Sequence, residues 1–246
     1  MKIVTASFLL TALLLMPVQA HATCRQALSI GLDISGSVDD SEYRLQMDGL
    51  ARALTYPEVQ TAFLAMPDVP VYLYVFEWAG PSSQAEILPW TPINTAGDLA
   101  AVSKHLLSVP RQPREVATAL GTAMVFGAES LAAMPQCWRH TLDLTGDGDS
   151  NVGPRPRDVR KQSIFANITI NALVIGADAA PFTDARDSEV EKLRAYFTEE
   201  VIMGPDAFVE AATDFKTFEE AMARKLLKEL QAITIGQAEI EATRFQ

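Results

Sequence analysis

Short apolar runs alternate along this chain with stretches whose hydrophobic residues recur at helical spacing. Ala27 to Ile34 is mostly apolar and carries Asp33 near its end, which predicts a buried strand with a polar group at its C-terminal tip. Ser41 to Leu54 sets Tyr43, Met47, Leu50 and Leu54 on one helical face. Val71 to Phe76 is β-branched and aromatic. The turn residues Gly80 to Ser83 then lead into Ala85 to Ile93, expected to pair back as an antiparallel edge strand. Ala96 to Leu107 and Glu115 to Met134 read as helices separated by the Pro110–Pro113 breaker. His140 to Thr145 is a strand followed by a Gly- and Asp-rich loop, Gly146 to Gly153. A helix over Asp158–Ala166, a continuous apolar strand over Ile168–Ile175, a helix over Glu189–Phe197 and a last strand over Ala207–Ala211 come next. A final helix aligns Phe215, Phe218, Met222, Leu226, Leu230 and Ile233, and residues 238–246 read as a frayed tail. The alternation implies an α/β fold: a mostly parallel central sheet with helices on both faces and one antiparallel edge strand. No linker or repeat divides residues 23–237, which are expected to form one domain.

The first 22 residues stand apart from this pattern. Met1-Lys2, an apolar run from Ile3 to Val18 and the small-x-small triplet Ala20-His21-Ala22 are the parts of a secretory signal peptide. Export implies a periplasmic or secreted protein with no stable membrane insertion after cleavage. It also places Cys24 and Cys137, the only cysteines, in an oxidising compartment where pairs are usually joined. Cys24 lies nine residues before Asp33 and Cys137 lies ten before Asp147. In neighbouring parallel strands the two sulfurs would therefore meet at the same end of the sheet.

Composition narrows the function. The 246 residues carry 20 Lys+Arg against 31 Asp+Glu, a net charge of −11 that disfavours nonspecific nucleic-acid binding and docking on anionic membranes. Two cysteines are too few for a zinc ribbon or a disulfide-rich miniprotein.

The sharpest chemical signal is Asp33-Ile34-Ser35-Gly36-Ser37. A carboxylate and two hydroxyls on alternate residues of a tight turn offer hard oxygens to one point, which suits Mg²⁺. The same residues could instead do no more than cap the helix that follows. Thr118-Ala-Leu-Gly-Thr-Ala123 supplies another hydroxyl before a helix, and Thr145-Gly-Asp147-Gly148 a second acid after a strand.

Together these three segments resemble the von Willebrand factor type A domain and its metal-ion-dependent adhesion site. They carry an Asp-x-Ser-x-Ser segment, a Thr in a T-x-x-G-x-A context and a strand-ending Asp-Gly, in family order over about residues 26–235. The secretory start, the cysteine pair and Gly146-Asp147-Gly148 suggest a secreted bacterial branch of unknown function. The resemblance implies a Rossmann-like sheet in which Ser35, Ser37 and Thr118 bind Mg²⁺ or Mn²⁺ directly, while Asp33 and Asp147 act mainly through waters. Gly146 departs from the usual Thr-Asp-Gly by separating Thr145 from Asp147, so Asp143 and Asp149 stay open as alternatives to Asp147, and Thr122 to Thr118. Two carboxylates roughly neutralise a divalent ion and leave a coordination position for an anionic oxygen. In the family that oxygen commonly comes from an acidic side chain of a protein partner. Arg155, Arg157, Arg160 and Lys161 would attract such a ligand, or else form an ordinary solvated helix start.

Enzyme readings lack their parts. Gly148-Asp149-Ser150 resembles an esterase nucleophile segment, but no His follows His140 to serve as base. No G-x-S-x-G elbow or G-x-x-x-x-G-K-[ST] loop occurs, and Val152 stands where an EF-hand loop begun at Asp147 needs Gly. His105 and His140 read as structural, and Trp78 and Trp90 as packing residues beside the hairpin. The expectation is a metal-dependent binding module and not an enzyme. A metal-dependent hydrolase and a structural module with a vestigial site are the alternatives.

Overall fold

The computed structural model describes residues 24–134, 136–176 and 184–230, with side chains from 189 onward in the last segment. The expected signal segment 1–22, Ile233 and the expected tail 238–246 lie outside the described residues. The strands are β1 (Cys24–Asp33), β2 (Val71–Trp78), β3 (Gln84–Ile93), β4 (Cys137–Gly146), β5 (Ile168–Ile175) and β6 (Val209–Ala212). They form one sheet in the order β3-β2-β1-β4-β5-β6. Only the β2–β3 hairpin is antiparallel; β1, β2, β4, β5 and β6 run parallel. The apolar runs fit this: β1, β5 and the Thr141–Gly146 part of β4 are sandwiched between helices, so they have no solvent face on which polar residues could alternate.

The helices are α1 (Asp40–Ala53), α2 (Pro57–Phe63), α3 (Ala96–Ser108), α4 (Leu120–Ala132), the single turn α5 (Pro156–Val159), α6 (Asp184–Glu200) and α7 (218–230). On one face, Leu28, Ile30 and Leu32 of β1 pack with Met47 and Leu50 of α1, and α3 and α7 share that core. On the other, Leu142 and Leu144 of β4 pack with Met124 of α4 and Phe197 of α6. No helix of the described residues is long and apolar enough to cross a membrane.

Chain direction positions the functional edge. From β1 the chain winds outward through β2 to β3; from β4 it winds the opposite way through β5 to β6. Adjacent strands whose connections leave in opposite directions open a crevice at their carboxyl ends, the usual ligand position in such sheets. Asp33 ends β1 and Asp147 directly follows β4, so both acids flank this crevice. At the other end of the same strands Cys24 and Cys137 face each other in register and are disulfide-bonded, with Cα atoms 4.6 Å apart, as their matched offsets implied.

Several helices depart from expectation: α2 was not expected, α6 extends beyond the expected Glu189–Phe197 at both ends, and two further differences have a local cause. The helix expected from Glu115 starts at Leu120, because the preceding backbone is bonded elsewhere. Val116 O accepts from Gly36 N at 2.9 Å, Ala119 N donates to Ala79 O at 2.8 Å, and Thr118 N donates to Asn151 Oδ1 at 2.9 Å. The helix expected over Asp158–Ala166 is two pieces, α5 and a 3₁₀ turn at Ser163–Phe165. Only Val159 and Phe165 of that stretch are buried, and six residues is not a helical repeat, so the chain bends to bury both.

Candidate metal site

The turn after β1 is free of helix capping. Asp39 caps α1, accepting from Ser41 N at 2.7 Å and Glu42 N at 2.9 Å, while Glu42 returns a bond to Asp39 N. Asp33, Ser35 and Ser37 are thereby left to face one another. Ser35 N donates to Asp33 Oδ1 at 2.8 Å, Ser35 and Ser37 hydroxyls lie 3.3 Å apart, and Ser37 Oγ donates to Asp147 Oδ1 at 2.7 Å. Four of the five expected site residues thus form one connected group across the β1–β4 crevice.

Thr118 joins through its backbone. Gly36 lies against Val116, where an added Cβ would come within 2.8 Å of the Val116 carbonyl oxygen, so glycine permits the approach of the two loops. On the other side Thr118 O accepts from Asn151 N at 2.9 Å and Ser150 Oγ at 3.2 Å, and Asn151 Nδ2 lies 3.4 Å from Thr118 Oγ1. Gly121, in the first turn of α4, lets the Pro154 carbonyl pass where a Cβ would stand 2.0 Å away. The loop after β4 is therefore stitched to the Thr118 segment.

A second layer went unrecognised in the sequence. Asp33 N donates to Thr145 Oγ1 at 3.0 Å, Thr145 Oγ1 donates to Gln46 Oε1 at 2.7 Å, and Gln46 Nε2 donates to Asp33 O at 2.8 Å. This closed ring satisfies the Asp33 main chain and holds its carboxylate toward the crevice. The available signal was Gln46 itself, a polar residue beside Met47 on the apolar stripe of α1.

The electrostatics are unbalanced. Asp33 is fully buried and its Oδ2 has no hydrogen-bond partner. Burial, then repulsion from Asp147, pushes the Asp33 carboxyl up to about 8. Asp147 is also raised, chiefly by burial and against the bond from Ser37. Among the described residues no group of three or more His, Cys, Asp or Glu is placed to hold a metal. The donors linked here are instead two carboxylates and two hydroxyls, those of Asp33, Asp147, Ser35 and Ser37, hard oxygens of the kind that divalent cations such as Mg²⁺ take. An orphaned, buried carboxylate oxygen beside a second acid fits a divalent cation.

The alternative residues stand elsewhere. Asp143 faces the α1/α7 side of the sheet and is ion-paired with Lys225. Asp149 is exposed, and Thr122 lies in the first turn of α4. The basic run is committed locally: Arg155 and Lys161 both hold Asp158, Arg157 meets Glu200 at 3.3 Å, and Arg160 donates to Ile202 O and Glu199 O. Trp78 is buried, and Trp90 stacks on Tyr74 at 5.1 Å.

Residues 23–234 match the family model described as Protein of unknown function (DUF1194). The chain belongs to that family. No curated protein matches the sequence. Solved structures similar to this DUF1194 chain are von Willebrand A domains. Proximal thread matrix protein 1 (PTMP1) from the mussel byssus, solved with a zinc-occupied MIDAS motif, is 18% identical with a TM-score of 0.56 over 86% of this chain and 49% of its own. The pilus adhesin SpaC from Lactobacillus rhamnosus GG is 15% identical, TM-score 0.56, over 85% of this chain and 30% of the adhesin. The von Willebrand factor type A protein from Catenulispora acidiphila is 17% identical, TM-score 0.55, over 84% of this chain and 43% of that one. The chain spans less than half of each. At these identities the likeness establishes the fold, and the DUF1194 chain has the von Willebrand A architecture that its three motifs implied.

Proposed function

We propose that this chain is an exported, metal-dependent binding module that recognises an acidic side chain of a protein partner through a Mg²⁺ or Mn²⁺ ion. Ser35, Ser37 and Thr118 would hold the ion directly, and Asp33 and Asp147 would act mainly through waters. When bound, the ion supplies an open coordination position for a carboxylate oxygen. The observation that carries the reading is the buried, unpartnered Asp33 Oδ2 beside Asp147 at the topological switch point of the sheet. The zinc-occupied motif of the mussel protein and the adhesive role named for the pilus protein support it by analogy of fold.

Binding is favoured over hydrolysis by what the histidines do. A hydrolase needs a base that can cycle its proton. His140 pairs with Ala27 of β1, six residues before Asp33, with Nε2 2.7 Å from Met134 O, and His105 Nε2 is 2.8 Å from Ile87 O on the edge strand β3, so neither ring is bonded to a residue of the crevice. Export is supported by the Cys24–Cys137 bridge, which persists in oxidising compartments. Affinity capture from periplasmic extract tests the reading. A partner should be retained with Mg²⁺ and lost with chelator and with Thr118→Ala. Retention indifferent to both would favour the vestigial-site module, and metal-dependent turnover abolished by Asp147→Ala would favour the hydrolase.

A further inference from the structure

A cleft of about 400 Å³ opens directly beside the Asp33–Ser37 turn, with Ser35 and Gly36 in one wall and residues 111–116 in the other. Ser35 thus belongs both to the candidate metal site and to the cleft. In a chain with net charge −11, this cleft is lined by two guanidinium groups, those of Arg111 and Arg114.

Neither arginine is fully committed. Arg111 lies over the Tyr43 ring at 5.6 Å, donates to Val38 O and pairs with Asp40 at 2.8 Å. That Asp40 side chain is 94% exposed, so the pair is competed by water and readily exchanged for an incoming carboxylate. Arg114 reaches buried Glu77 only at 3.4 Å, and its Nε is enclosed without a hydrogen-bond partner. Glu77 is itself shared with Tyr43, whose hydroxyl donates to it at 2.5 Å. The other acid of the cleft, Glu115, accepts from Ser82 N at 3.1 Å. Two cations therefore line the cleft, Arg111 in a readily exchanged pair with exposed Asp40 and Arg114 in a 3.4 Å contact with Glu77 and a bond to Pro113 O. They stand beside the position where a partner's carboxylate would meet the ion, and arginine–carboxylate bonds are among the stronger polar contacts. The rim carries Val116, which is 79% exposed and gives the backbone between two acidic groups an apolar surface to lie on.

We infer that the recognised segment of the partner is an acidic peptide bearing two carboxylates, one for the ion and a second, a few residues away, for Arg111 and Arg114. The inference rests on the metal-binding reading proposed above and adds to it the chemistry of the ligand. The probes are Gly/Ser host peptides carrying one Glu, or two Glu separated by one to four residues, titrated against the full chain loaded with Mn²⁺. The best two-Glu peptide should bind about tenfold tighter than the one-Glu peptide, because its second contact is made intramolecularly. That ratio should fall to near unity in Arg111→Gln and in the double variant Glu77→Gln/Arg114→Gln, which removes both charges of the buried pair together. Affinity for Mn²⁺ alone should be unchanged in both. Equal binding of one- and two-Glu peptides, failure of every peptide to bind the Mn²⁺-loaded chain, or a ratio that persists in both variants overturns the inference. Failure of the wild-type chain to bind Mn²⁺ at all is a separate result: it overturns the metal reading and this inference with it.

Discussion

Among the described residues, Asp143 with Glu229 and Asp33 with the half-buried Asp147 are two places that bring a pair of carboxylates together in or at the edge of the interior, and they differ in the counter-charge supplied. Beneath α7, Asp143 and Glu229 share Lys225: its Nζ pairs with Asp143 and donates to Glu229 Oε1 at 2.7 Å, and Asn171 Nδ2 donates to the same oxygen at 2.7 Å. Burial alone would push Lys225 down, but the two acids carry it above its ordinary value. At the β1–β4 crevice, Asp33 and Asp147 face each other with hydroxyls and main-chain N–H groups as their hydrogen-bonding partners, and no Lys or Arg is paired with either among the described residues. Burying two like charges is costly in both places. The interior cluster carries one cation of its own, although burial and Glu229 still hold Asp143 well above its ordinary range and Asp143 Oδ2 and Glu229 Oε2 lack hydrogen-bond partners; the crevice carries none, and on the proposed reading takes its cation from solution. A chain-borne counter-charge, present beside Asp143 and absent beside Asp33, is what separates the two clusters.

Removing the internal cation should break the contrast most severely. Lys225→Met leaves Asp143 and Glu229 buried together and should destabilise the fold by about 3–5 kcal/mol, read from denaturant unfolding. A loss below about 1 kcal/mol would mean that the cluster is not held by its charge balance.

The crevice should respond in the opposite sense. Asp33→Asn keeps an oxygen for Ser35 N and removes the repelled charge, so the metal-free variant should match or exceed the wild type by about 1 kcal/mol at pH 8. The pH dependence has a definite sign. Between the ordinary aspartate range and about 8, native Asp33 retains a proton that the unfolded chain has lost, so metal-free stability contributed by this group falls as pH rises. Asp33→Asn should flatten that part of the profile. Chemical denaturation in chelator across pH 4–8 checks it, and an equally steep fall in the variant would place the strain elsewhere.

The contrast between the two clusters was only half legible in the sequence. The proximity of Asp33, Ser35 and Ser37 was readable because a turn brings alternate residues together whatever the rest of the chain does. Asp147 was readable because Asp-Gly followed a strand, and the intervening Gly146 did not displace it from Ser37. The supporting ring was not, since Thr145 and Gln46 are 99 residues apart and Asp33 and Thr145 are 112 apart. Asp143 stayed open as a ligand because nothing local reveals its pairing with Lys225 on α7. The fold followed the same division. The continuous apolar run of β5 was read end to end at Ile168–Ile175, and α1 shifted by one residue at each end. The start of α4 was misplaced because the Glu115–Ala119 backbone bonds to Gly36, Ala79 and Asn151, interactions that propensity does not contain.

The central claim is that the crevice binds a divalent cation, and calorimetric titration of Mn²⁺ into the wild type and Asp33→Ala tests it most directly. The wild type should bind one ion per chain and release protons as the raised carboxyls ionise. Asp33→Ala should lose about 10–100-fold in affinity, the usual cost of removing a residue that acts on the ion through its surroundings, while keeping the fold. Undiminished Mn²⁺ binding by that variant would contradict the assignment of the site.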